Sequence, residues 1–348
     1  MTTLSVDRAS TPTATSRRSA SARASWVIGG IVLLVLAGVA SVAFGVRSVG
    51  LDEIVGGVLG STDTIGEAAV AKRVPRTVLA MLVGAALAVS GAVMQGVTRN
   101  PLADPGILGV TTGAALFVVA GIAFFGLASP TSYIWVAIAG AALAASFVYA
   151  VGSLGRGGAT PLKLALAGAA SSAAFTSLIS AILLPRIDVM DSFRFWQIGG
   201  VGGAQTEKTL QVLPFLAVGA LLSLATARGL NSLALGDDLA RGLGEHVGRT
   251  RLLAAVGAVT LAGAATAVAG PIGFVGLAVP HLCRLLVGVD HRWLLPFSAV
   301  LGAALLTTAD VVGRLVARPA EVDVGIVTAL LGAPVFIAIV RRQKVRAL

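Results

Sequence analysis

Long apolar runs separated by short polar stretches recur along almost the whole chain. A helix needs about 20 mainly apolar residues to cross a bilayer, and the clearest such run extends from Trp26 to Val46. The same pattern marks these candidate spans: residues 26–46, 74–96, 107–126, 132–152, 162–184, 210–228, 250–269, 271–289, 294–316 and 324–340. The pattern therefore predicts an all-α, polytopic membrane protein with about ten transmembrane helices.

Two stretches interrupt this regular pattern with proline and glycine, around residues 101–113 and 270–280. Irregular backbone at membrane depth is tolerated only where protein surrounds it or where it lines a water-filled pathway. We therefore expect broken or partly re-entrant helices at both places.

The first 25 residues are rich in Ser, Thr, Ala and Arg, which predicts a disordered basic tail at 1–25. Arg17-Arg18 is compatible with an export leader, but the apolar run that follows is longer than the core of a signal peptide. An uncleaved first span is the favoured interpretation. Residues 26–348 then form one transmembrane domain, whose longest polar segment is 230–249.

The composition excludes an ordinary soluble domain. Of the 348 residues 56% are hydrophobic and only 12% are charged, and the mean hydropathy is +0.91, so lipid must cover part of the apolar surface. The 43 glycines suit close helix packing in a membrane. With a single cysteine, Cys283, the chain has neither an internal disulfide nor a cysteine metal cluster.

Basic residues orient the predicted bundle. An even number of spans puts both termini on one side, and most of the 26 lysines and arginines fall on that side. The positive-inside rule then predicts cytoplasmic termini. The same asymmetry accounts for the net charge of +10 without a nucleic-acid partner.

The sequence lacks the residue patterns of several kinds of catalytic, nucleotide-binding and metal-binding site. No lysine follows a glycine, so a phosphate-binding loop of the G-x-x-x-x-G-K-[ST] type is absent. His246, His281 and His291 lack the spacing of a metal site, and neither H-E-x-x-H nor G-x-S-x-G occurs. We therefore expect no cofactor in this chain. If ATP drives its function, ATP and Mg must bind to a partner chain.

Asp310 is the one acidic residue that lies deep within a predicted span. An intramembrane carboxylate is a functional candidate by default. The favoured alternative is a structural hydrogen-bonding partner of Arg314, which follows one helical turn later.

A series of specific strings runs in order through the chain: Arg73-Val74-Pro75-Arg76, Arg99-Asn100-Pro101-Leu102-Ala103-Asp104-Pro105-Gly106, Leu235-Gly236-Asp237-Asp238-Leu239-Ala240-Arg241-Gly242-Leu243-Gly244, Gly270-Pro271-Ile272-Gly273-Phe274, and Gly325-Ile326-Val327-Thr328-Ala329-Leu330-Leu331-Gly332-Ala333-Pro334. Together they closely resemble the permease family of cobalamin and iron–siderophore ABC importers, the large type II importers. The similarity extends from about Arg47 to Arg342.

The resemblance implies a ten-helix permease that carries out no chemistry itself. It implies a dimer with a second permease subunit, two cytoplasmic ATPase subunits and an external substrate-binding protein. Iron(III)–siderophore is the expected substrate, while haem and cobalamin stay open. A channel or proton-coupled carrier that works without an ATPase is the rival function.

The resemblance also implies three functional regions. Arg73, Arg76 and Arg314 would form the docking surface for the binding protein, with simple anchoring to lipid headgroups as the alternative. Leu235, Gly236, Asp237, Ala240, Leu243 and Gly244 would couple the permease to the ATPase. Asn100, Pro101 and Leu102 would form the cytoplasmic gate, and a plain structural turn between spans is the alternative. The chain departs from the family pattern at Asp323, where a proline is usual.

Overall fold

The computed structural model describes residues 20–127, 129–155 and 160–342, and all regular structure in these ranges is helical. Of the predicted tail at 1–25, residues 1–19 lie outside the described residues. Residues 20–25 belong to the first helix. The helices are α1 (Ala20–Ala43), α2 (Leu51–Val58), α3 (Ile65–Thr98), α4 (Val110–Phe125), α5 (Pro130–Ser153), α6 (Pro161–Leu183), α7 (Ile187–Ile198), α8 (Thr206–Ala225), α9 (Ala227–Leu233), α10 (Asp237–Gly242), α11 (Val247–Ala269), α12 (Val275–Val287), α13 (His291–Val316) and α14 (Val324–Arg342), with a 3-10 turn at Pro105–Leu108.

The apolar helices coincide with the predicted spans. Within the described ranges, seven helices are long and apolar enough to cross a membrane, and α4, α12 and the apolar part of α14 are shorter. These three shorter helices fall at the predicted spans 107–126, 271–289 and 324–340. The all-α polytopic prediction is thus confirmed, while α2, α7, α9 and α10 are short helices between spans.

Hydroxyl side chains and prolines determine where several helices begin. Thr64 accepts a hydrogen bond from the Glu67 amide at 3.1 Å, and the Glu67 carboxylate accepts one from the Thr64 amide at 3.0 Å. This capping box satisfies two donors that the first turn of α3 leaves without partners. Helices α5 and α6 each begin with a proline that follows a capping Ser or Thr.

Both segments predicted to be irregular are broken helices. α3 ends at Thr98, and Arg99 adopts a left-handed conformation with φ 52°. α11 ends at Ala269, and the chain passes through Phe274 at φ 68° before α12 begins. Because a left-handed residue cannot continue an α-helix, each break turns the chain within the bundle.

α3 is the central helix. In its most apolar window 78% of the residues are buried, against 17% in the corresponding windows of α1 and α6. Two glycines let its backbone touch its neighbours: a Cβ on Gly84 would collide with the Gly302 carbonyl of α13, and one on Gly91 with the Gly276 carbonyl of α12. Small residues at such crossings permit the close packing that stabilises helix pairs in lipid.

Candidate functional site

Arg76 of α3 and Arg314 of α13 share the buried carboxylate of Asp310. Arg76 donates from Nη2 to Oδ1 at 2.8 Å and from Nε to both carboxylate oxygens at 3.1 Å. Arg314 Nη2 lies 3.0 Å from Oδ2, and Asp310 itself is only 1% exposed. The interpretation of Asp310 as a partner of Arg314 is confirmed, and Arg76 is a second partner that the sequence does not reveal.

Arg73 and Arg314 also bind the end of α1. Arg73 donates to the carbonyls of Val42 and Ala43 at 3.0 and 2.8 Å and to that of Arg47 at 2.6 Å. Arg314 donates to the Ser41 and Phe44 carbonyls at 3.0 and 3.1 Å. The last carbonyls of a helix have no partner within it and carry partial negative charge, so a guanidinium satisfies both needs. These contacts fasten the peripheral helix α1 to α3 and α13.

The three arginines are less accessible than an outward-facing docking surface would require. Arg73 and Arg314 are 7% and 2% exposed, and the side chain of Arg76 is 12% exposed. The most exposed member of the cluster is Glu321, at 40%, whose carboxylate accepts a hydrogen bond from Arg76 at 2.6 Å. The guanidiniums are buried because helix-end carbonyls and Asp310 replace the water they would lose. Docking through these residues stays a prediction.

Residues Asn100, Pro101 and Leu102 form a tight exposed turn after Arg99, which we call the gate turn. The Asn100 side chain accepts a hydrogen bond from the Leu102 amide at 2.9 Å, and its carbonyl accepts one from the Ala103 amide at 3.1 Å. Leu102 is 37% exposed, whereas Ala103 is fully buried. The turn therefore has a structural role, and its predicted role as a gate is not tested by these contacts.

The segment predicted to couple to an ATPase contains α9, α10 and the start of α11. The α10 helix follows Gly236, whose φ is 105°, and the segment leaves through Gly244 at φ 83°. Both values lie in the region that favours glycine. Ala240 is buried and seats the helix on the bundle. A Cβ on Gly244 would meet no atom within 4 Å, and the same is true of Gly242.

Three leucines form an exposed apolar ridge on this segment, which we call the leucine ridge: Leu235, Leu239 and Leu243. Their exposed fractions are 57%, 63% and 67%. Leu239 lies in α10 and Leu243 directly follows its last residue, so these two share a helix face, whereas Leu235 precedes the helix, before Gly236. Clustered exposed apolar side chains are typical of surfaces that bind another protein.

Asp237 connects this segment to the gate turn. Its Oδ1 accepts from Arg99 Nη2 at 2.5 Å, and its two oxygens accept from Arg251 at 2.9 and 3.0 Å. Arg99 directly follows the last residue of α3, and Arg251 belongs to α11. One carboxylate thus holds α10, the gate turn and α11 together, a link between positions 138 residues apart that no local pattern predicts.

A second link joins α9 to α13. Asn231 donates to Asp290 Oδ1 at 2.6 Å and accepts from the His291 amide at 2.9 Å. The guanidinium of Arg292 holds the pKa of Asp290 well below its usual range, so this carboxylate stays ionised. Within the described ranges no three His, Cys, Asp or Glu side chains lie close enough together to hold a metal ion.

Comparison with known proteins places this architecture in a family. Residues 33–342 match the FecCD transport family. The chain is 43% identical to the ferric enterobactin transport system permease protein FepD of Escherichia coli, over 92% of this chain and 96% of that protein. It is 45% identical to the iron(3+)-hydroxamate import system permease protein FhuB of Bacillus subtilis, over 91% and 83%.

A solved structure of similar fold supports the same family. An inward-facing conformation of a metal-chelate type ABC transporter superposes with a TM-score of 0.80 at 31% identity, covering 92% of this chain and 99% of that one. The family model spans most of the chain, and the matched region includes the arginine cluster, the gate turn and the leucine ridge. The chain belongs to the FecCD transport family of membrane permeases.

Proposed function

We propose that this chain is the membrane-spanning permease subunit of an ATP-driven importer that passes an iron(III)–siderophore from an external binding protein to the cytoplasm. Relatives named for ferric enterobactin and for iron(3+)-hydroxamate import match it over most of both chains, which supports a siderophore substrate. The complex would contain a second permease subunit, two ATPase subunits and the binding protein.

The length of α3 supports opposite locations for the arginine cluster and the gate turn. Arg76 lies on α3, and Arg99 follows the last residue of this helix 23 positions later, which corresponds to about 35 Å at 1.5 Å per residue. The hydrocarbon core of a bilayer is about 30 Å thick. With cytoplasmic termini, the arginine cluster faces the exterior, and the gate turn and leucine ridge face the cytoplasm.

Coupling is the step for which the geometry offers the clearest mechanism. The ATPase would grip the leucine ridge, which is exposed and apolar. Movement of α10 would then pull on Arg99 through Asp237, and Arg99 borders the gate turn directly. The Asp237 carboxylate is the single observation that connects the predicted coupling surface with the predicted gate.

Docking of the binding protein is proposed at the other end of α3. Arg76 is the most accessible of the three arginines there and already holds the exposed Glu321. Arg73 and Arg314 would support this surface from inside by fixing α1. A carboxylate on the binding protein could compete with Glu321 for the planar guanidinium of Arg76.

Reconstitution tests the proposal. Proteoliposomes containing the permease, its ATPase and its binding protein should accumulate radiolabelled ferric siderophore only with ATP inside the compartment that holds the ATPase. Depleting ATP while the membrane potential is maintained should stop uptake. Persistent uptake would favour the ATP-independent carrier, and uptake of haem or cobalamin in place of ferric siderophore would reassign the substrate.

A further inference from the structure

A small polar cavity lies at the end of the bundle that carries the coupling segment. It is about 330 Å³ in volume and sits where α8 ends, α9 begins and α11 begins. Its polar wall contains Arg228, His246 and Arg249, and its apolar wall contains Leu222, Ala225 and Leu253. None of these residues belongs to the leucine ridge or to the gate turn.

Neither arginine of this cavity is paired with a carboxylate of the described residues. Both are exposed, and neither forms an ion pair or a side-chain hydrogen bond with another residue of the described ranges. The one carboxylate in the wall, Glu245, accepts a hydrogen bond from the Thr250 hydroxyl instead. No side chain caps the first turn of α11, which begins beside Arg249. Two guanidiniums against one carboxylate give the cavity an excess of positive charge.

Exposed apolar side chains lie next to the cavity on α8 and α11. Leu221 and Leu224 of α8 are 68% and 46% exposed, and Leu252 and Val256 of α11 are 46% and 44% exposed. Both helices are long and apolar enough to span a membrane, and the cavity lies at their ends. The ends of membrane-spanning helices lie near the lipid headgroups, because the helix length matches the thickness of the hydrocarbon core.

We propose that this cavity binds the phosphate of an anionic phospholipid, with Arg228 and Arg249 as its ligands and the acyl chains lying along α8 and α11. Arginine matches a phosphate with two parallel donors, and basic recesses between membrane helices at the cytoplasmic side suit anionic headgroups. Because Arg228 starts the helix that leads to α10, a bound lipid would brace the coupling segment. An acidic surface of the ATPase is the competing occupant. A recess at the level of the headgroups is, however, accessible to lipid before the ATPase binds.

Lipid titration of the purified full-length chain tests the proposal. Phosphatidylglycerol and phosphatidylcholine with the same acyl chains are added to the detergent-solubilised protein, and binding is followed by native mass spectrometry. We expect preference for phosphatidylglycerol, and we expect the double variant Arg228→Gln/Arg249→Gln to weaken its binding roughly 30-fold, since each arginine near an anionic headgroup contributes about fivefold. Arg241→Gln, which removes an exposed arginine of α10 paired with Asp238, should bind phosphatidylglycerol as the wild type does.

Three results would overturn the proposal. Equal binding of the two lipids by the wild type would exclude recognition of the anionic headgroup. This test requires no variant. Undiminished phosphatidylglycerol binding by the double variant would place the lipid elsewhere. If that variant also fails to assemble with the ATPase, the two arginines bind the ATPase and not a lipid. Inorganic phosphate that competes at equal concentration would identify a site for the free anion and not for a lipid. Arg228→Lys/Arg249→Lys should retain most of the preference, and thermal unfolding confirms that each variant is folded.

Discussion

Replacing Asp310 by asparagine would leave two buried guanidiniums without their shared counter-charge. In the native chain Asp310 is 1% exposed and receives the side chains of Arg76 and Arg314 at 2.8 and 3.0 Å. The amide of asparagine could keep one or two of these hydrogen bonds, but it carries no charge. We therefore expect a large loss of stability and little change in shape.

The size of the loss follows from the burial. Removing one partner of a buried ion pair costs about 3–5 kcal/mol, because the remaining charge is desolvated without compensation. At about 2 °C per kcal/mol for a chain of this size, the melting temperature should fall by roughly 6–10 °C. Loss of Asp310 also frees Arg314 to shift away from the end of α1, which would loosen that helix.

Thermal unfolding in detergent, followed by intrinsic fluorescence, measures this difference. Asp238→Asn is the matched control, because it removes the same group from an Asp–Arg pair whose aspartate side chain is 99% exposed. Exposed pairs contribute about 0–1 kcal/mol, so this variant should melt within roughly 2 °C of the wild type.

A double variant separates charge from packing. Adding Arg76→Gln to Asp310→Asn removes one of the two guanidiniums left without a counter-charge. The loss of stability in the double variant should therefore be about 0.5–3 kcal/mol smaller than the sum of the losses in the two single variants. If Asp310→Asn melts like Asp238→Asn, the carboxylate does not neutralise these arginines in the membrane and the assignment of the cluster is wrong.

The remaining predictions concern function. Asp237→Asn should lower the amount of substrate transported per ATP hydrolysed by about fivefold, because it releases Arg99 from α10. Asp238→Asn should leave this ratio unchanged, and equal ratios in the two variants would show that Asp237 has no part in coupling. Gly242→Trp should abolish substrate-stimulated ATP hydrolysis without lowering the melting temperature, because the chain leaves open space there; normal stimulation would show that the ATPase binds elsewhere. Leu102→Ala should raise leakage of small solutes from proteoliposomes if the exposed turn closes the pathway, and unchanged leakage would leave it a structural turn. Arg76→Lys keeps the positive charge beside Asp310 but loses the planar fork, so it should weaken binding of the substrate-binding protein in nanodiscs about tenfold or more while lowering the melting temperature less than Asp310→Asn does. Binding equal to that of the wild type would move docking away from Arg76.

The burial of the arginine cluster changes how docking has to be tested. Reversing Arg73 and Arg76 to glutamate would disrupt the contacts with α1 and with Asp310 as well as any contact with a partner. Loss of docking in such a variant would therefore not distinguish a binding surface from a damaged fold. The conservative change at Arg76, accompanied by a melting curve, makes that distinction.

The sequence by itself determined the class of the molecule and most of its helices. Runs of about 20 apolar residues can be stable only in lipid or in a large core, so the positions of the spans follow from the pattern of apolar runs alone. The breaks after α3 and α11 were predictable because proline and glycine act on their own backbone. The pair Asp310 and Arg314 was predictable too, because residues four apart share a helix face.

Tertiary structure alone decided which charges from distant parts of the chain meet. Arg76 finds Asp310 across 234 positions, and Arg99 finds Asp237 across 138. Nothing local distinguishes Arg73, which is buried against the end of α1, from Arg47, which is exposed nearby. Pairing between distant segments depends on how whole helices pack, and packing is set by close contacts such as Gly84 against Gly302. Those contacts determine which guanidinium reaches a carboxylate or a free carbonyl, and thereby which arginine is buried and which stays at the surface.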